Sequence, residues 1–143
     1  MSDPSPLPII RIAAALITDS AGRVALVRKR GTRALIQPGG KIEPGEAATD
    51  ALRRELMEEL GMLVLEVDPV YLGTFTAPAV HEAGRTVEAQ LFRVDISGPI
   101  TPAAEVEAVV WIDPFETDGL DLAPLTRDQI LPLARSPRPV IAA

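Results

Sequence analysis

A nine-residue, largely apolar run near the start of the chain constrains the fold more than any other feature. Residues 9–17 read IIRIAAALI, and the longest clean apolar stretch, Ile12–Ile17, has the length of a strand rather than of a membrane span. A strand that is apolar on both faces is usually covered on both faces, as happens when helices flank a sheet. The run therefore predicts a sheet with helices on either side.

The remaining segments predict further strands and two helices. Turn residues and apolar periodicity predict strands at 9–17, 23–28, 34–37, 62–75 (one or two, broken at 68–69), 86–96 and 107–112, and helices at 46–60 and 126–134. Gly61 occupies a position that favours glycine after a helix. Thr126 and Gln129 have the spacing of a capping box, and Pro132 interrupts the second helix. Because the elements do not alternate strictly, we expect an α/β (α+β) fold with a mixed β-sheet sandwiched between helices.

The composition fits one domain and excludes several classes of protein. With 143 residues, 47% of them hydrophobic, we expect a single domain at 9–136, a flexible N-terminal arm at 1–8 and a C-terminal tail at 137–143. The absence of cysteine excludes disulfides and thiolate metal sites. Residues 1–8 lack the basic-then-apolar order of a secretory signal, so we expect a cytoplasmic protein with no membrane partner.

The net charge of −6 bears on the class of ligand. Proteins that bind nucleic acid through its phosphates are usually basic, so we do not expect a nucleic-acid partner. If the ligand is a small anionic phosphate compound, the negative field of the protein has to be offset. A divalent cation is the simplest means of doing so.

Three carboxylates fall on one face of the first predicted helix. At about 100° per residue, Glu59 lies about 40° to one side of Glu55, and Glu58 about 60° to the other. The same sector holds small or apolar residues that should face the sheet: Ala48, Ala51 and Leu52. Inward-facing like charges repel one another and are costly to desolvate. Mg²⁺, which prefers oxygen ligands, would remove both costs.

The alternative is a solvated acidic face on a surface helix, since glutamate is a good helix former. Periodicity alone leaves both interpretations open, but the spacing around the cluster favours a metal site. Residues 40–62 read GKIEPGEAATDALRRELMEELGM and resemble the Nudix box G-x5-E-x7-R-E-U-x-E-E-x-G-U, in which U is aliphatic. All nine specified positions are filled, Met62 being the least typical choice, and the order of elements extends the likeness to roughly residues 9–134.

The resemblance implies a MutT-like Nudix pyrophosphatase, a hydrolase that cleaves a phosphoanhydride bond with Mg²⁺ or Mn²⁺ as cofactor. By matching position, the metal ligands would be the backbone carbonyl of Gly40 and the carboxylates of Glu55, Glu58 and Glu59. Glu58 and Glu59 would also be the catalytic glutamates nearest the metal or water.

Two further box residues would support these ligands. Arg54 would orient the glutamates by ion pairing rather than perform chemistry, and Glu46 would hold the loop against the helix. Gly39 and Gly40 fit a turn where the backbone passes close to the metal and substrate, although a simple tight turn fits equally well.

The general base is left open by the resemblance, because family members use either a box glutamate or one in a downstream loop. Glu105, just before the last predicted strand, is a candidate for this role or for a metal contact. An exposed loop carboxylate explains Glu105 equally well, and Glu107 is a nearby competitor. Arg28 and Arg30 are candidate phosphate-binding residues, with a solubility role equally open for each.

The substrate is expected to be a small nucleotide, with a slight preference for a nucleoside triphosphate, including an oxidised one. ADP-ribose or another nucleotide sugar is the alternative, although the chain is short and lacks a glycine-rich extension that would indicate it. A non-catalytic, nucleotide-sensing Nudix module is a third hypothesis, but sensors tend to lose the box glutamates and this chain retains them. Related folds are often homodimers, and we extend that expectation to this chain.

Overall fold

The computed structural model describes residues 9–61, 69–79, 82–95 and 100–135. Its elements are β1 (Ile10–Thr18), β2 (Val24–Lys29), β3 (Gly39–Lys41), α1 (Ala48–Leu60), β4 (Val70–Pro78), β5 (Thr86–Asp95), β6 (Val106–Ile112), a π-helical turn (Thr126–Ile130) and α2 (Leu131–Arg135). The predicted arm at 1–8, the tail at 137–143 and the strand residues at 62–68 lie outside the described residues. Within the described ranges, no helix has the length and hydropathy needed to cross a bilayer.

The strands form one mixed sheet in the order β4-β5-β1-β2-β6, with β3 also paired to β1. β1 and β5 are parallel, whereas the other paired strands are antiparallel. β2 pairs with β1 only near Ile17 and Thr18, which leaves the other end of the same edge of β1 to β3. The short β3 therefore lies beside the middle of the sheet, under α1.

Both faces of the sheet are covered, as the apolar run predicts. Ala15 of β1 packs in a cluster with Leu56 of α1, whereas the next residue, Leu16, packs with Ile130 and Leu131 on the opposite face. Alternate side chains of one strand thus enter two cores. The expected mixed sheet between helical layers is confirmed.

Helix α1 begins two residues later than the predicted Glu46. Ala47 is extended, and Glu46 belongs to the preceding turn, where its backbone N–H donates to the carbonyl of Glu43. The Glu46 carboxylate accepts the N–H of Glu43 rather than capping the helix. The predicted C-terminus is confirmed, since Gly61 has a φ of 64° and its N–H bonds to Leu56 and Met57 carbonyls.

The C-terminal helical segment departs from the prediction in its first turn. The capping box is wrong: the Thr126 hydroxyl donates to the Gln37 side chain, and Gln129 Nε2 donates to the Thr76 carbonyl at 2.6 Å. Both side chains that the local spacing assigned to a helix cap therefore form hydrogen bonds with residues far away in the chain. The segment forms a π-helical turn ahead of Leu131–Arg135, and Pro132 lies in the first turn of α2, where a missing N–H is tolerated.

The predicted strand at 34–37 does not form. Leu35 and Ile36 make only isolated bridges, to Leu122 and Val27 respectively, and the regular pairing begins at Gly39. The predicted strand that ends at residue 75 is instead longer, because β4 extends to Pro78 opposite Thr86.

Candidate active site

The three box glutamates of α1 line one cleft but differ in burial. The side chains of Glu59, Glu55 and Glu58 are 6%, 15% and 55% exposed, respectively. The expectation that all three face inward is wrong for Glu58. Helical rotation brings Glu58 to the same cleft, but at the solvent-facing margin of the helix.

Glu59 carries a buried oxygen without a partner. Among the described residues, its Oε2 makes no hydrogen bond, while its Oε1 lies 4.0 Å from Lys29 Nζ. The pKa of Glu59 is raised to about 7, mainly by burial; Lys29 and the Gly39 backbone amide oppose this shift, and Glu55 and Glu105 add to it. An unpaired buried carboxylate is costly, so this atom needs either a proton or a cation.

Arg54 connects the loop before α1 to the glutamates on the helix. Its Nη2 donates to Glu46 Oε1 at 2.9 Å and to the Lys41 carbonyl at 3.0 Å, and its Nη1 donates to Glu55 Oε1 at 2.8 Å. The hydrogen bond with Glu46 is the main cause of a raised pKa at Arg54 and a lowered pKa at Glu46. The guanidinium therefore orients Glu55 and holds the loop in place.

Positions 39 and 40 both require glycine, because other atoms lie too close to each of them for a side chain to fit. Gly39 has a φ of 146°, and a Cβ there would overlap the backbone carbonyl oxygen of Ala13 in β1. A Cβ at Gly40 would instead overlap the carboxylate of Glu55. The backbone of Gly40 thus lies directly against a box glutamate, where a larger residue would displace the carboxylate.

Glu105 is brought to the cleft by a loop that is tied to two elements. The Ala103 N–H donates to the Glu59 carbonyl at 2.8 Å, and the Arg30 N–H donates to the Glu105 carbonyl at 2.9 Å. Ala104, between them, has a φ of 53° and is the one non-glycine residue with positive φ in the described ranges. This conformation costs about 1–2 kcal/mol, so the surrounding contacts hold Glu105 in place.

These groups meet in a cleft of about 410 Å³, which we call the acidic cleft. It is lined by Lys29, Gly40, Lys41, Glu55, Glu58, Glu59, Ala104 and Glu105. Within the described part of the chain, no three acidic side chains already converge closely enough to enclose an ion. Glu55 is drawn towards Arg54 and Glu58 towards solvent, so an ion would complete its shell with water or substrate oxygens.

A second, apolar cleft of about 210 Å³ adjoins the acidic one. Its walls come mainly from β1, β4, the segment before β3 and the segment before the π-helical turn, and include Ile12, Ile36, Ala77, Val87 and Leu125. Lys29, Gly40 and Lys41 line both clefts. A single ligand can therefore extend from the apolar cleft into the acidic one past two lysines.

The candidate phosphate-binding arginines do not line either cleft. Arg28 Nε pairs with Glu107 at 3.3 Å, and neither Arg28 nor Arg30 is among the residues that line the clefts. Lys29 and Lys41 line both clefts instead, and Lys41 was not among the predicted site residues. Strand alternation carried a signal for Lys29, since Val27 packs on the α1 side and Lys29 follows it at a spacing of two.

Comparison with known proteins identifies the class to which this architecture belongs. The family model of the NUDIX domain matches residues 8–134, and the chain belongs to that family of hydrolases. The resemblance carried by residues 40–62 is thereby confirmed. Members of the family generally use divalent metal ions.

Individual relatives support the same assignment. A Mycobacterium tuberculosis protein named "Putative 8-oxo-dGTP diphosphatase 2" is 35% identical over 99 residues, which are 69% of this chain and 67% of that protein. The CTP pyrophosphohydrolase of Escherichia coli is 38% identical over 88 residues, 60% of each chain. The crystal structure of a MutT NUDIX hydrolase from Burkholderia pseudomallei shares the fold with a TM-score of 0.74 at 23% identity, covering 91% of this chain and all of that one.

Proposed function

We propose that this protein is a Mg²⁺-dependent pyrophosphohydrolase of nucleoside triphosphates, including oxidised ones, with nucleoside monophosphate and pyrophosphate as products. The reaction consumes one water and breaks one phosphoanhydride bond. The observation that carries the proposal is the buried, unpartnered Oε2 of Glu59, a residue in the wall of a cleft that three further glutamates also line. Such an arrangement is stable only if a cation or a proton joins it.

The chemistry of the cleft fits a hard divalent cation. Its donors are carboxylate oxygens of Glu55, Glu58 and Glu59, with the backbone of Gly40 against Glu55. A bound Mg²⁺ or Mn²⁺ would offset phosphate charge and activate the attacking water. Arg54 acts through Glu55, to which it donates at 2.8 Å, and is a positioning residue.

The lysines shared by the two clefts would bind the phosphates. Lys29 is half-buried between Glu59 and the apolar cleft, and Lys41 lies at the rim, 3.4 Å from Glu82. Both lysines line both clefts and so lie between the apolar cleft and the glutamates. This path supports a substrate with an apolar ring at one end and several phosphates at the other.

Glu105 is proposed as the residue that takes the proton from the attacking water. It lines the cleft and is held there by the backbone contacts of Ala103 and Arg30. The Glu105→Gln substitution should lower kcat by about 10²- to 10⁴-fold, the usual contribution of a general base. A decrease of only a few-fold, with an unchanged pH–rate profile, would move this role to a box glutamate.

The names of the relatives support the choice of substrate class. One is named a diphosphatase of 8-oxo-dGTP and another a pyrophosphohydrolase of CTP, and both names denote nucleoside triphosphate substrates. The cytoplasmic location, the homodimer and the absence of a nucleic-acid partner stay predictions.

The test is a panel of nucleoside triphosphates, oxidised dGTP, dinucleoside polyphosphates and nucleotide sugars, with Mg²⁺, Mn²⁺ or chelator, and products identified by mass. Glu59→Gln should lower kcat/KM on the best substrate by about 10²- to 10³-fold. Asp50→Asn, at an exposed position of the same helix, is the matched control and should stay within two-fold of wild type. Nucleotide binding that is indifferent to chelator, with no product, would instead support a sensor.

A further inference from the structure

Gln37 is a buried amide within the wall of the apolar cleft. The residue is 7% exposed and precedes the Pro38-Gly39-Gly40 turn, and its Oε1 accepts a hydrogen bond from the hydroxyl of Thr126. Thr126 is itself fully buried in the π-helical turn. One end of the Gln37 amide is therefore fixed by a residue 89 positions away in the chain.

The other end of the amide has no partner. Across the described ranges, Gln37 Nε2 donates no hydrogen bond, yet it is not sealed from solvent as Glu59 Oε2 is. Because Gln37 lines the apolar cleft, Nε2 opens into it. When a ligand displaces water from this donor, binding is costly unless the ligand itself accepts a hydrogen bond from it. This donor is therefore available for a ligand.

No other buried polar side chain competes with Gln37 in this cleft, within the part of the chain that the structure describes. The remaining polar side chains lie towards its mouth, where Lys41 and Glu82 pair with each other and Lys29 turns towards Glu59. The other walls are aliphatic, for example Ile36, Val87 and Leu125. The cleft thus combines apolar surface with one oriented donor, the usual composition of a selective small-molecule pocket.

We propose that Gln37 selects the nucleobase: its Nε2 donates to a ring carbonyl, so the cleft prefers keto bases over amino bases. This inference rests on the proposed nucleotide substrate and deepens it. With phosphates at Lys29 and the glutamates, the base edge farthest from the sugar enters the cleft. At that edge guanine and uracil or thymine carry a carbonyl acceptor, whereas adenine and cytosine carry an amino donor. An amino group there would meet Gln37 donor to donor.

The contacts around Gln37 give this selection its rigidity. The hydrogen bond from Thr126 restrains the plane of the amide and limits its rotation about the side chain. The π-helical turn that carries Thr126 is itself tied to β4, where Gln129 Nε2 donates to the Thr76 carbonyl. A donor held in this way discriminates better than a freely rotating one, since it cannot adapt to the wrong base.

Two matched pairs of ligands test the proposal without any turnover. Inosine and adenosine monophosphate differ by oxo against amino at one ring carbon, and uridine and cytidine monophosphate form the corresponding pyrimidine pair. Binding is measured by NMR titration of the whole protein in chelator. We expect the oxo member of each pair to bind about tenfold more tightly.

Gln37→Met removes the donor while keeping the length of the side chain. We expect the affinity for both oxo ligands to fall about tenfold and the affinity for the amino ligands to change less than twofold. This removes the difference in affinity within each pair, which we call the gap. Gln90→Met is the matched control, because Gln90 bonds Tyr71 and Thr74 away from the cleft. It should preserve the gap.

Thr126→Val provides a second variant if Gln37→Met folds poorly. It removes the hydrogen bond that restrains the amide, so the gap should narrow while overall affinity stays similar. A wild-type protein without a gap, or a gap that survives both substitutions, would overturn the role of Gln37. The proposed function fails separately, by an absence of Mg²⁺-dependent hydrolysis, whereas a base preference measured in chelator would survive that failure.

Discussion

The acidic cleft and the apolar cleft share a wall at Gly40 but are encoded very differently. Most of the acidic cleft comes from one continuous segment, residues 40–59, with Lys29 and the Ala104–Glu105 loop added from elsewhere. The apolar cleft takes its walls from segments spread between Ile10 and Leu125. The first can therefore be recognised in a sequence, and the second can be found only after folding.

The difference extends to energetics. The acidic cleft contains a charged group whose burial is unfavourable in the isolated chain, as the raised pKa of Glu59 indicates. The apolar cleft is lined by side chains that are favourable to bury, with one oriented donor at Gln37. Strain and buried charge are therefore concentrated in the acidic cleft, where a metal and phosphates are expected to bind. The donor that would select a ligand lies in the apolar cleft, where a ring is expected to bind.

The largest expected effect separates the two glycines at the shared wall. Gly39→Ala places a methyl group on the Ala13 backbone, which cannot yield, so we expect a loss of at least about 3 kcal/mol of folding stability. Gly40→Ala instead displaces the Glu55 carboxylate, a movable group, so the fold should survive while kcat/KM falls by about 10²-fold or more.

Chemical denaturation and initial rates measure both outcomes of the glycine comparison. If Gly40→Ala loses stability as severely as Gly39→Ala, the wall is structural throughout. The proposed contact between the Gly40 backbone and the metal-binding glutamates would then lose its support.

The next effect concerns Glu59 in the metal-free protein. The pKa of Glu59 is about 7 in the folded protein, above its ordinary value of 4.5. The folded protein therefore binds this proton more tightly than the unfolded chain does. As a result, the free energy of unfolding is highest below about pH 4.5 and falls as the pH rises through 7. A shift of this size corresponds to about 3 kcal/mol. Glu59→Gln should therefore be more stable than wild type at pH 8 and similar to it at pH 4.5.

Urea denaturation in chelator, at pH values from 4.5 to 8, tests this dependence. Glu58→Gln is the control, since the exposed Glu58 side chain should leave the pH dependence unchanged. Added Mg²⁺ should remove the difference by stabilising wild type and not Glu59→Gln. A wild-type protein and a Glu59→Gln variant with parallel pH curves would contradict the burial of charge in the acidic cleft.

The smallest effect isolates the apolar cleft. Ala77 lies in its wall and is 8% exposed, and Ala77→Leu would fill part of the space. We expect KM for the nucleotide to rise about tenfold and stability to fall by about 1–3 kcal/mol through overpacking. Stabilisation by Mg²⁺ alone should be unchanged, because the acidic cleft is intact.

Steady-state kinetics and a thermal shift with Mg²⁺ separate the two clefts in Ala77→Leu. An unchanged KM would show that the base does not enter the apolar cleft. A lost response to Mg²⁺ would show that the two clefts are coupled more tightly than their shared wall implies.

Several features of the fold and the site were predictable because they depend on local periodicity. The continuous apolar run of β1 predicted a strand covered on both faces, and the helical repeat placed Glu55, Glu58 and Glu59 at one cleft. Predictions from local spacing were wrong where a side chain bonds to a residue distant in the chain instead of to its own helix. Thr126 and Gln129 bond to Gln37 and Thr76 instead of capping a helix.

The sequence alone determined the sandwiched sheet, the family and the convergence of the box glutamates on one cleft, because each follows from a local pattern of residues. Only the tertiary structure decided how deeply each glutamate is buried, that Lys29 and Lys41 stand between the clefts, and that Gln37 meets Thr126. Burial and long-range pairing depend on which surfaces pack together, and no local pattern records that choice.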